Sequence, residues 1–467
     1  MRIGIDARPL ALESYTGIPK AVYEITKYWL ENHPEHEYYM LSSIPVHFEE
    51  NLPENWHVLD KPEMIDNQKF WALFELPKLI RELKLDVFWG SNYLLPRRIP
   101  GVRYCVTVYD LAIFRIPDIG ESYSTFRLRV FGKKSCRTAD TVVAISRATA
   151  EDVHEIFGIP RKKIAVSYCG GPSGDSCADG ERNRSGAGAM FEGKAGETLN
   201  AGVSAADPAA AKTDEIREEL SALHSGGFFL FISTIEPRKN IVTIVHAFEE
   251  YKRREQERGS IWTGTGVEAS GLESEIPGRS IQAGSEKERD CPVQDMKLVL
   301  AGNRGWKYDE ILAAVESSPY RKDILMPGYV SDAEKAMLLK NAAAFLYPSL
   351  YEGFGIPILE AMNSGCPVVT SGVSSMPEVG GDAAFYIREP KNSKELADRM
   401  EEVCSLGCEE LTELRSRMQR QVRKFSWKKN AEQMLQILCR REEGSGTDKN
   451  RRKMERVLSH RDEGARK

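Results

Sequence analysis

The stretch SLYEGFGIPILEAMNSGCPVVTS, residues 349–371, determines how the second half of the chain folds. An apolar run, Ala343–Tyr347, precedes it, and the stretch itself ends in a second apolar run. Pro357 suits the first turn of a helix, and Gly365 suits the position just past a helix end. The stretch therefore predicts a strand, a glycine loop, a helix from Pro357 to Ser364 and a second strand.

Two glycines and two carboxylates surround the predicted start of this helix. Gly353 and Gly355 allow a close approach that a Cβ would prevent, so their amides can face an oxyanion. The helix start adds the positive end of its dipole. Carboxylates accept hydrogen bonds from hydroxyls, so Glu352 at the mouth of the loop and Glu360 in the helix suit two ends of one elongated ligand. The pattern predicts a phosphate between two hydroxyl-bearing groups.

Apolar strands alternate with helix-compatible sequence in both halves of the chain. This pattern is typical of parallel sheets that helices cover on both faces. We therefore expect an α/β protein with two doubly wound parallel sheets, whose ligands bind beyond the carboxyl ends of the strands. The other predicted strands are Arg2–Asp6, Asp86–Gly90, Tyr104–Tyr109, Thr141–Ile145, a run beginning at Phe228, and Lys297–Gly302.

Composition shifts divide the chain into domains. Residues 170–212 are rich in Gly, Ala and Ser and predict a flexible insertion, as do residues 259–290 within the second half. We expect an amino-terminal domain over 1–169 and a carboxyl-terminal domain over 213–424. A terminal helix over 425–443 would return to the first domain, and a charged tail over 444–467 would follow.

Charge and composition exclude several classes of protein. The 467 residues carry a formal net charge of -5, which gives no reason to expect a nucleic-acid partner. No run is long and apolar enough to be a signal peptide or a membrane span, so we expect a cytoplasmic protein. The chain has no Asp-x-Asp pair and no histidine-carboxylate cluster of ligand spacing, so we expect no metal site.

The motif with Glu352 and Glu360 resembles the hallmark of the retaining family 4 glycosyltransferases, the group 1 transferases with the GT-B fold. The segments RIGIDARPL, STIEPRKNIVTIVHAF and PGYVSDAEKAMLLKNAAAFLYPS agree with this family. The resemblance covers most of the chain outside the insertions and the tail. It implies two Rossmann-like domains that face each other across a cleft, with the nucleotide-sugar on the second domain and the acceptor on the first.

The resemblance also implies roles for individual residues. Glu360 would hold the donor ribose and Glu352 would lie by the hexose. Arg238 and Lys239 would neutralise the diphosphate, whose charge grows as the glycosidic bond breaks. At a helix start such cations oppose the dipole unless an anion lies between them. The remaining expected donor contacts are Gly353, Phe354 and Gly355 in the loop, Gly17 from the first domain, and Tyr329 and Val330 beside the base.

One position departs from the family pattern. Many relatives have His-Asp after the strand YCVTV, whereas this chain has Tyr109 and Asp110. A histidine contact to the sugar or phosphate therefore cannot be transferred. Asp110 is the ionisable group left at that strand end, either as a catalytic group or as a helix cap.

The resemblance favours GDP-mannose as the donor substrate, with UDP-hexose second, and implies no cofactor. Retention would follow from front-face substitution, in which the departing phosphate oxygen takes the acceptor proton. The acceptor would be a saccharide or a lipid-linked saccharide in cell-surface polysaccharide synthesis. The basic segment YSTFRLRVFGKKSCR, residues 123–137, is either a solvated helix face or a peripheral contact with the inner face of an anionic membrane.

Other classes of protein remain open at this point. Another GT-B enzyme of sugar nucleotides, an epimerase or a phosphorylase, would share the fold. A catalytically silent sugar-nucleotide-binding subunit would explain the missing histidine. An NAD-dependent oxidoreductase is disfavoured, because the first strand is followed by RPLALESYTG, which lacks the Gly-x-Gly-x-x-Gly spacing.

Overall fold

A computed structural model describes most of the chain as two compact units. The first unit comprises Met1–Gly171 and Phe425–Lys467, and the second comprises Pro172–Lys424. The described residues are 1–11, 17–48, 50–60, 71–116, 128–172, 219–220, 223, 225–264 and 296–440. The predicted insertion at 170–212 beyond residue 172, most of the one at 259–290, and the tail at 444–467 lie outside them.

The first unit is built on a seven-stranded parallel sheet in the order β3-β2-β1-β4-β5-β6-β7. The order reverses between β1 and β4, so the switch point of this sheet lies between those two strands. The strands are β1 (Arg2–Asp6), β2 (Glu37–Ser42), β3 (Trp56–Asp60), β4 (Val87–Gly90), β5 (Arg103–Val108), β6 (Thr141–Ala144) and β7 (Ile164–Val166).

Helices cover both faces of this sheet. Successive residues of a strand point to opposite faces of the sheet. In β4, Val87 and Trp89 belong to one buried cluster, whereas Phe88 belongs to another. The first cluster also contains Trp29 of the first helix. The helices of the first unit that come before the second unit in the chain are α1 (Ile18–Asn32), α2 (Leu76–Glu82), α3 (Ala112–Arg115), α4 (Lys133–Thr138) and α5 (Arg147–Phe157).

The second unit contains a six-stranded parallel sheet in the order β10-β9-β8-β11-β12-β13. Its order reverses between β8 and β11. The strands are β8 (Phe228–Ile232), β9 (Lys297–Ala301), β10 (Ile324–Gly328), β11 (Ala344–Tyr347), β12 (Val368–Ser371) and β13 (Phe385–Ile387).

Two helices of the second unit show why they begin or end where they do. Ser331 accepts from the backbone of Glu334 in a capping box at the start of one helix, and Gly365, with φ of 74°, follows another. The helices are α6 (Ile241–Gly264), α7 (Tyr308–Glu316), α8 (Asp332–Asn341), α9 (Ile356–Asn363), α10 (Met376–Gly380), α11 (Ser393–Cys404) and α12 (Cys408–Val422).

The last described helix, α13 (Trp427–Cys439), packs on the first unit. Ala431 accepts a hydrogen bond of 2.8 Å from the indole of Trp29, and Asn430 donates one of 2.9 Å to the hydroxyl of Ser167. Its apolar side chains enter the same buried cluster as Trp29. Among the helices in the described part of the chain, none combines the length and the apolar composition that crossing a membrane requires.

The predicted fold class is confirmed, because both units are parallel sheets with flanking helices. Sequence reasoning did not identify β2, β3, β7, β10 and β13 as strands. β3 lies at the sheet edge, and four of its five residues are only partly buried. β7 and β13 have only three residues each. The helix α6 also extends to Gly264, into the start of the predicted insertion at 259–290.

Candidate functional site

Two loops meet at the switch point of the second unit. The strands β8 and β11 are neighbours, with Phe345 opposite Leu230. β8 is followed by the EPRKN loop, residues 236–240, and β11 by the glycine loop, residues 348–355. Ligands of open α/β sheets bind where the strand order reverses. Both sequence motifs therefore lie where this sheet is expected to bind a ligand.

Glu352 is the centre of a buried group of charges. Its Oε2 accepts a hydrogen bond of 2.8 Å from Arg238 Nη1, and its Oε1 accepts one of 2.7 Å from Lys239 Nζ. Glu236 lies 2.8 Å from Nη2 of Arg238. Only 7% of Glu352 and 5% of Lys239 are exposed. These four residues, the charge cluster, hold two carboxylates and two cations.

The charge cluster corrects one expectation and explains another. Glu352 was expected at the mouth of the loop, and this is wrong, because its side chain lies beneath the loop and between two cations. The anion that Arg238 and Lys239 need at a helix start is Glu352 itself. A carboxylate can remain ionised at this depth because two cations replace its water.

Burial and charge act in opposite directions within the cluster. Burial raises the pKa of the Glu352 carboxyl, but the charges of Lys239 and Arg238 outweigh it and hold that pKa at about 2. Burial lowers the pKa of Lys239, and Glu352 opposes this only in part. A carboxyl with so low a pKa is ionised at neutral pH and is a weak base.

Backbone and side-chain hydrogen bonds connect the EPRKN loop to the glycine loop. The amide of Leu350 donates to the carbonyl of Arg238 at 2.9 Å. The side-chain amide of Asn240 donates to the carbonyl of Pro348 at 3.0 Å. The Arg238 guanidinium adds a bond of 3.1 Å to the carbonyl of Tyr351. The two loops therefore form one hydrogen-bonded unit around the charge cluster.

The ammonium group of Lys239 lies between two acceptors. Its N–H groups donate to Glu352 at 2.7 Å and to the hydroxyl of Tyr347 at 2.6 Å. Together with the Arg238 guanidinium, which also contacts Glu352, it places two cations at the switch point of this sheet.

Glu360, the second carboxylate of the motif, lies on α9 and pairs with Lys335 on α8. Their side chains are 3.1 Å apart and 20% and 27% exposed, respectively. Burial lowers the pKa of Lys335, but the charges and hydrogen bonds of Glu360 and Asp332 together outweigh burial, so that this pKa is raised. Sequence reasoning missed Lys335, because its partner is 25 residues further along the chain. Its only local signal, a lysine in SDAEKAM, is typical of a solvated helix face.

The other predicted donor contacts of the second unit lie along the same sheet edge. Gly355 has φ of 116°, a conformation that favours glycine, and directly precedes α9. Phe354 is buried beside it. After β10, Tyr329 is 63% exposed and Val330 is 7% exposed. The part of the chain that the structure describes contains no group of three or more potential metal ligands.

The two predicted residues of the first unit lie at the carboxyl edge of their own sheet. Gly17 has φ of 60° and precedes α1. The Asp110 carboxylate accepts from the amide of Ala112 at 3.1 Å, next to the start of α3, and its own amide donates to Tyr93 Oη at 2.9 Å. Tyr109 is buried, and burial raises the pKa of its hydroxyl. The carboxylate of Asp110 thus makes a local hydrogen bond at the start of α3, although the N-cap residue of that helix is Leu111.

Family comparisons match the two halves of the chain separately. Residues 15–170 match the family described as Glycosyltransferase Family 4, and residues 279–425 match the family described as Glycosyl transferases group 1. The chain is 29% identical over 318 residues to the O-antigen chain mannosyltransferase B of Escherichia coli, across 68% of this chain and 62% of that protein. It therefore spans less than two thirds of that relative's length.

Two solved structures are similar in fold. WaaG, a glycosyltransferase involved in lipopolysaccharide biosynthesis, is 13% identical with a TM-score of 0.56, over 94% of this chain and all of its own. Anabaena HepE in complex with UDP-glucose is 14% identical with a TM-score of 0.56, over 94% of this chain and 99% of its own. At these identities the likeness concerns the fold alone.

Replacing Glu352 with glutamine leaves two cations without their shared carboxylate. We expect Glu352→Gln to lower the free energy of unfolding of the second unit by about 3 kcal/mol, because an unpaired buried charge is costly. Glu360→Gln is the matched control, the same change on a more exposed residue with one cation, and should cost less than about 1 kcal/mol. Urea unfolding of both variants measures this, and equal losses would contradict the account.

The same carboxylate predicts a dependence of stability on pH. The pKa of Glu352 falls from 4.5 to about 2 on folding, so its contribution is complete above pH 4.5 and is lost as the pH falls toward 2. The contribution is about 3 kcal/mol for a shift of this size. We expect the difference in unfolding free energy between the wild type and Glu352→Gln to shrink over that range in urea titrations. A difference that stays constant with pH would exclude this pKa.

Proposed function

Because the chain belongs to the group 1, family 4 glycosyltransferases, which have the GT-B fold, we propose that it moves a hexose from a nucleotide-sugar to an acceptor with retention of configuration. The observation that carries the proposal is the pair of cations, Arg238 and Lys239, held on the buried Glu352 carboxylate at the switch point. The name of the Escherichia coli relative favours mannose, hence GDP-mannose as donor, and a saccharide or lipid-linked acceptor in cell-surface polysaccharide synthesis. UDP-hexose is the second choice of donor.

In this proposal the second unit binds the donor. Glu360 accepts from the ribose hydroxyls, and Lys335 beside it is the counter-ion of that carboxylate. The diphosphate lies between Glu360 and the charge cluster, near the start of α9, whose dipole favours an anion. The amides of Gly353 and Gly355 then contact the diphosphate and the hexose.

Donor binding would rearrange the charge cluster. Its two cations and two carboxylates sum to zero, so the free protein presents no excess positive charge there. A diphosphate that contacts Lys239 and Arg238 competes with Glu352 for the same N–H groups. The carboxylate oxygens that it releases can then accept from hydroxyls of the hexose. One residue thereby serves both as an internal counter-ion and as a sugar contact.

The transfer step follows from this placement. The bond from the anomeric carbon to the diphosphate oxygen breaks, and the acceptor hydroxyl bonds to the same face of that carbon. Its proton passes to the departing phosphate oxygen. Negative charge grows on the leaving group, where Lys239 and Arg238 stabilise it without a metal ion. Glu352 serves as neither base nor covalent nucleophile, because the departing phosphate oxygen takes the proton and the acceptor hydroxyl itself bonds to the anomeric carbon.

The first unit, which would face the acceptor, has a surface that fits a peripheral contact with a membrane. Val130 and Phe131 are 47% and 48% exposed, and Leu73 and Phe74 are 59% and 60% exposed. Each pair directly precedes a helix. Leu95 packs against the buried cluster beneath each of the two pairs, so both pairs lie on one face of the sheet. Nearby basic residues of the segment 123–137 are Arg129, Lys133, Lys134 and Arg137, whereas its Arg127 lies outside the described residues. Apolar and basic side chains together favour an anionic lipid surface.

Catalysis would appear as turnover of a nucleotide-sugar. We expect the full-length protein to release nucleotide from GDP-mannose, slowly by hydrolysis without acceptor. Lys239→Ala and Glu360→Ala should each lower kcat/KM by about a hundredfold, because they remove diphosphate and ribose contacts. Glu402→Ala is the control, since Glu402 contacts Arg399 on an exposed helix face and should leave turnover unchanged.

The same assay, run also with UDP-glucose and ADP-glucose, separates the alternatives. An epimerised nucleotide-sugar would indicate an epimerase, and a sugar phosphate formed from inorganic phosphate would indicate a phosphorylase. Binding without turnover would indicate a silent subunit. If the protein neither binds nor turns over any of the three donors, the proposed function is wrong.

Liposome flotation tests the membrane contact. We expect the protein to float with vesicles that contain anionic phosphatidylglycerol and not with neutral phosphatidylcholine vesicles, and to lose binding at high salt. The double variant Val130→Ser, Phe131→Ser should weaken flotation. Met337→Ser is the control, because Met337 is an exposed apolar residue of the second unit. Equal recovery from both kinds of vesicle would exclude this surface.

A further inference from the structure

We propose that three serines at the end of β12 and in the turn after it, Ser371, Ser374 and Ser375, position the glycine loop and thereby set the affinity for the donor. These residues, the serine ladder, were assigned no role by the sequence motifs. The inference rests on the proposed function, since it concerns the same donor site.

The serine ladder donates hydrogen bonds to carbonyls of the glycine loop. Ser371 Oγ lies 2.5 Å from the carbonyl of Ser349. Ser374 Oγ and Ser375 Oγ lie 2.5 Å and 2.9 Å from the carbonyl of Glu352. Ser375 Oγ also lies 2.7 Å from the carbonyl of Phe354, so its one proton is shared between two acceptors. Three carbonyls of the loop are thus held on its β12 side.

Burial makes these bonds consequential. Ser349, Ser371 and Ser375 have no exposed surface. Buried backbone carbonyls need hydrogen-bond partners. A loop beyond the end of a strand has no neighbouring strand to supply them. Loss of the Ser371 or Ser375 hydroxyl would remove a buried hydrogen bond from a loop carbonyl, and loss of the Ser374 hydroxyl would leave the Glu352 carbonyl with one of its two hydroxyl donors.

Ser374 is held in a strained conformation. Its φ of 55° lies in the left-handed region, which serine rarely adopts and glycine adopts freely. A glycine at this position would relieve the strain but would remove the hydroxyl that bonds to Glu352. Strain of this kind persists where the surrounding structure fixes it, commonly at ligand sites.

The ladder and the charge cluster act on the same residue. The carbonyl of Glu352 receives two hydroxyls of the ladder, while its carboxylate receives Arg238 and Lys239. A displaced loop would therefore move the Glu352 carboxylate and the Gly353 amide together. Ser374 and Ser375 are positioning residues, because they act on the donor through Glu352 and the loop.

The test compares two ladder variants with a matched serine elsewhere. Ser375→Ala removes the shared hydroxyl, and Ser374→Gly removes a hydroxyl while relieving strain. Ser405→Ala is the control, because Ser405 also donates to a carbonyl, that of Glu402 at 2.8 Å, but on an exposed helix end. We measure the Kd for GDP-mannose and UDP-glucose by calorimetry, the donor KM and kcat, and the melting temperature.

We expect both ladder variants to raise Kd and KM by about tenfold, the effect of roughly one lost buried hydrogen bond. Ser374→Gly should do so without lowering the melting temperature, which separates positioning from a merely structural role. Ser405→Ala should change none of these quantities. Wild-type Kd and KM in both ladder variants would overturn the proposal.

A second measurement keeps the inference separate from the proposed function. If the wild type binds neither donor, the proposed function fails. Amide hydrogen exchange of residues 349–355 in the free protein then tests whether the serine ladder holds the glycine loop in place. Faster exchange in Ser375→Ala than in the wild type and in Ser405→Ala supports it. Unchanged exchange in that segment rejects it.

Discussion

The burial of the Glu352 carboxylate beneath the glycine loop is the constraint on which the site depends. A carboxylate with 7% exposure has lost most of its water and remains charged only because cations replace that water. Arg238 and Lys239 come from the loop after β8, whereas Glu352 follows β11. The loops after two neighbouring strands must therefore keep one geometry, because a shift of either would leave a buried charge unpaired.

This constraint connects stability with function. A site that binds a diphosphate needs cations, yet cations without counter-ions would repel each other in the free protein. The chain resolves the conflict by pairing them internally with Glu352, and the proposed donor competes for them when it binds. Glu360 and Lys335 repeat the arrangement at the proposed ribose end, with a single, more exposed pair. In this proposal the donor exchanges with the internal partners of these ion pairs.

Most of the fold could be predicted from the sequence, because buried parallel strands such as β1 and β8 are short apolar runs between helices. The strand β3 escaped prediction because it is a half-exposed edge strand. At the site, the motif residues were recognisable from glycine and carboxylate spacing. The depth of Glu352 was not, since its partner Lys239 lies 113 residues away in sequence. Lys335 and the serine ladder were missed for the same reason: single lysines and serines carry no pattern, and only the sheet order brings them to the loop.

The measurement that tests the account most directly is hydrogen exchange of the full-length protein with and without GDP-mannose or UDP-glucose. The central claim is that the donor binds at the switch point between β8 and β11. We expect a bound donor to slow exchange in residues 236–240, 329–335 and 352–360 and to leave the strands β2 and β3 of the first unit unchanged. Slower exchange elsewhere without any change in these segments, or no change with either donor, would contradict it.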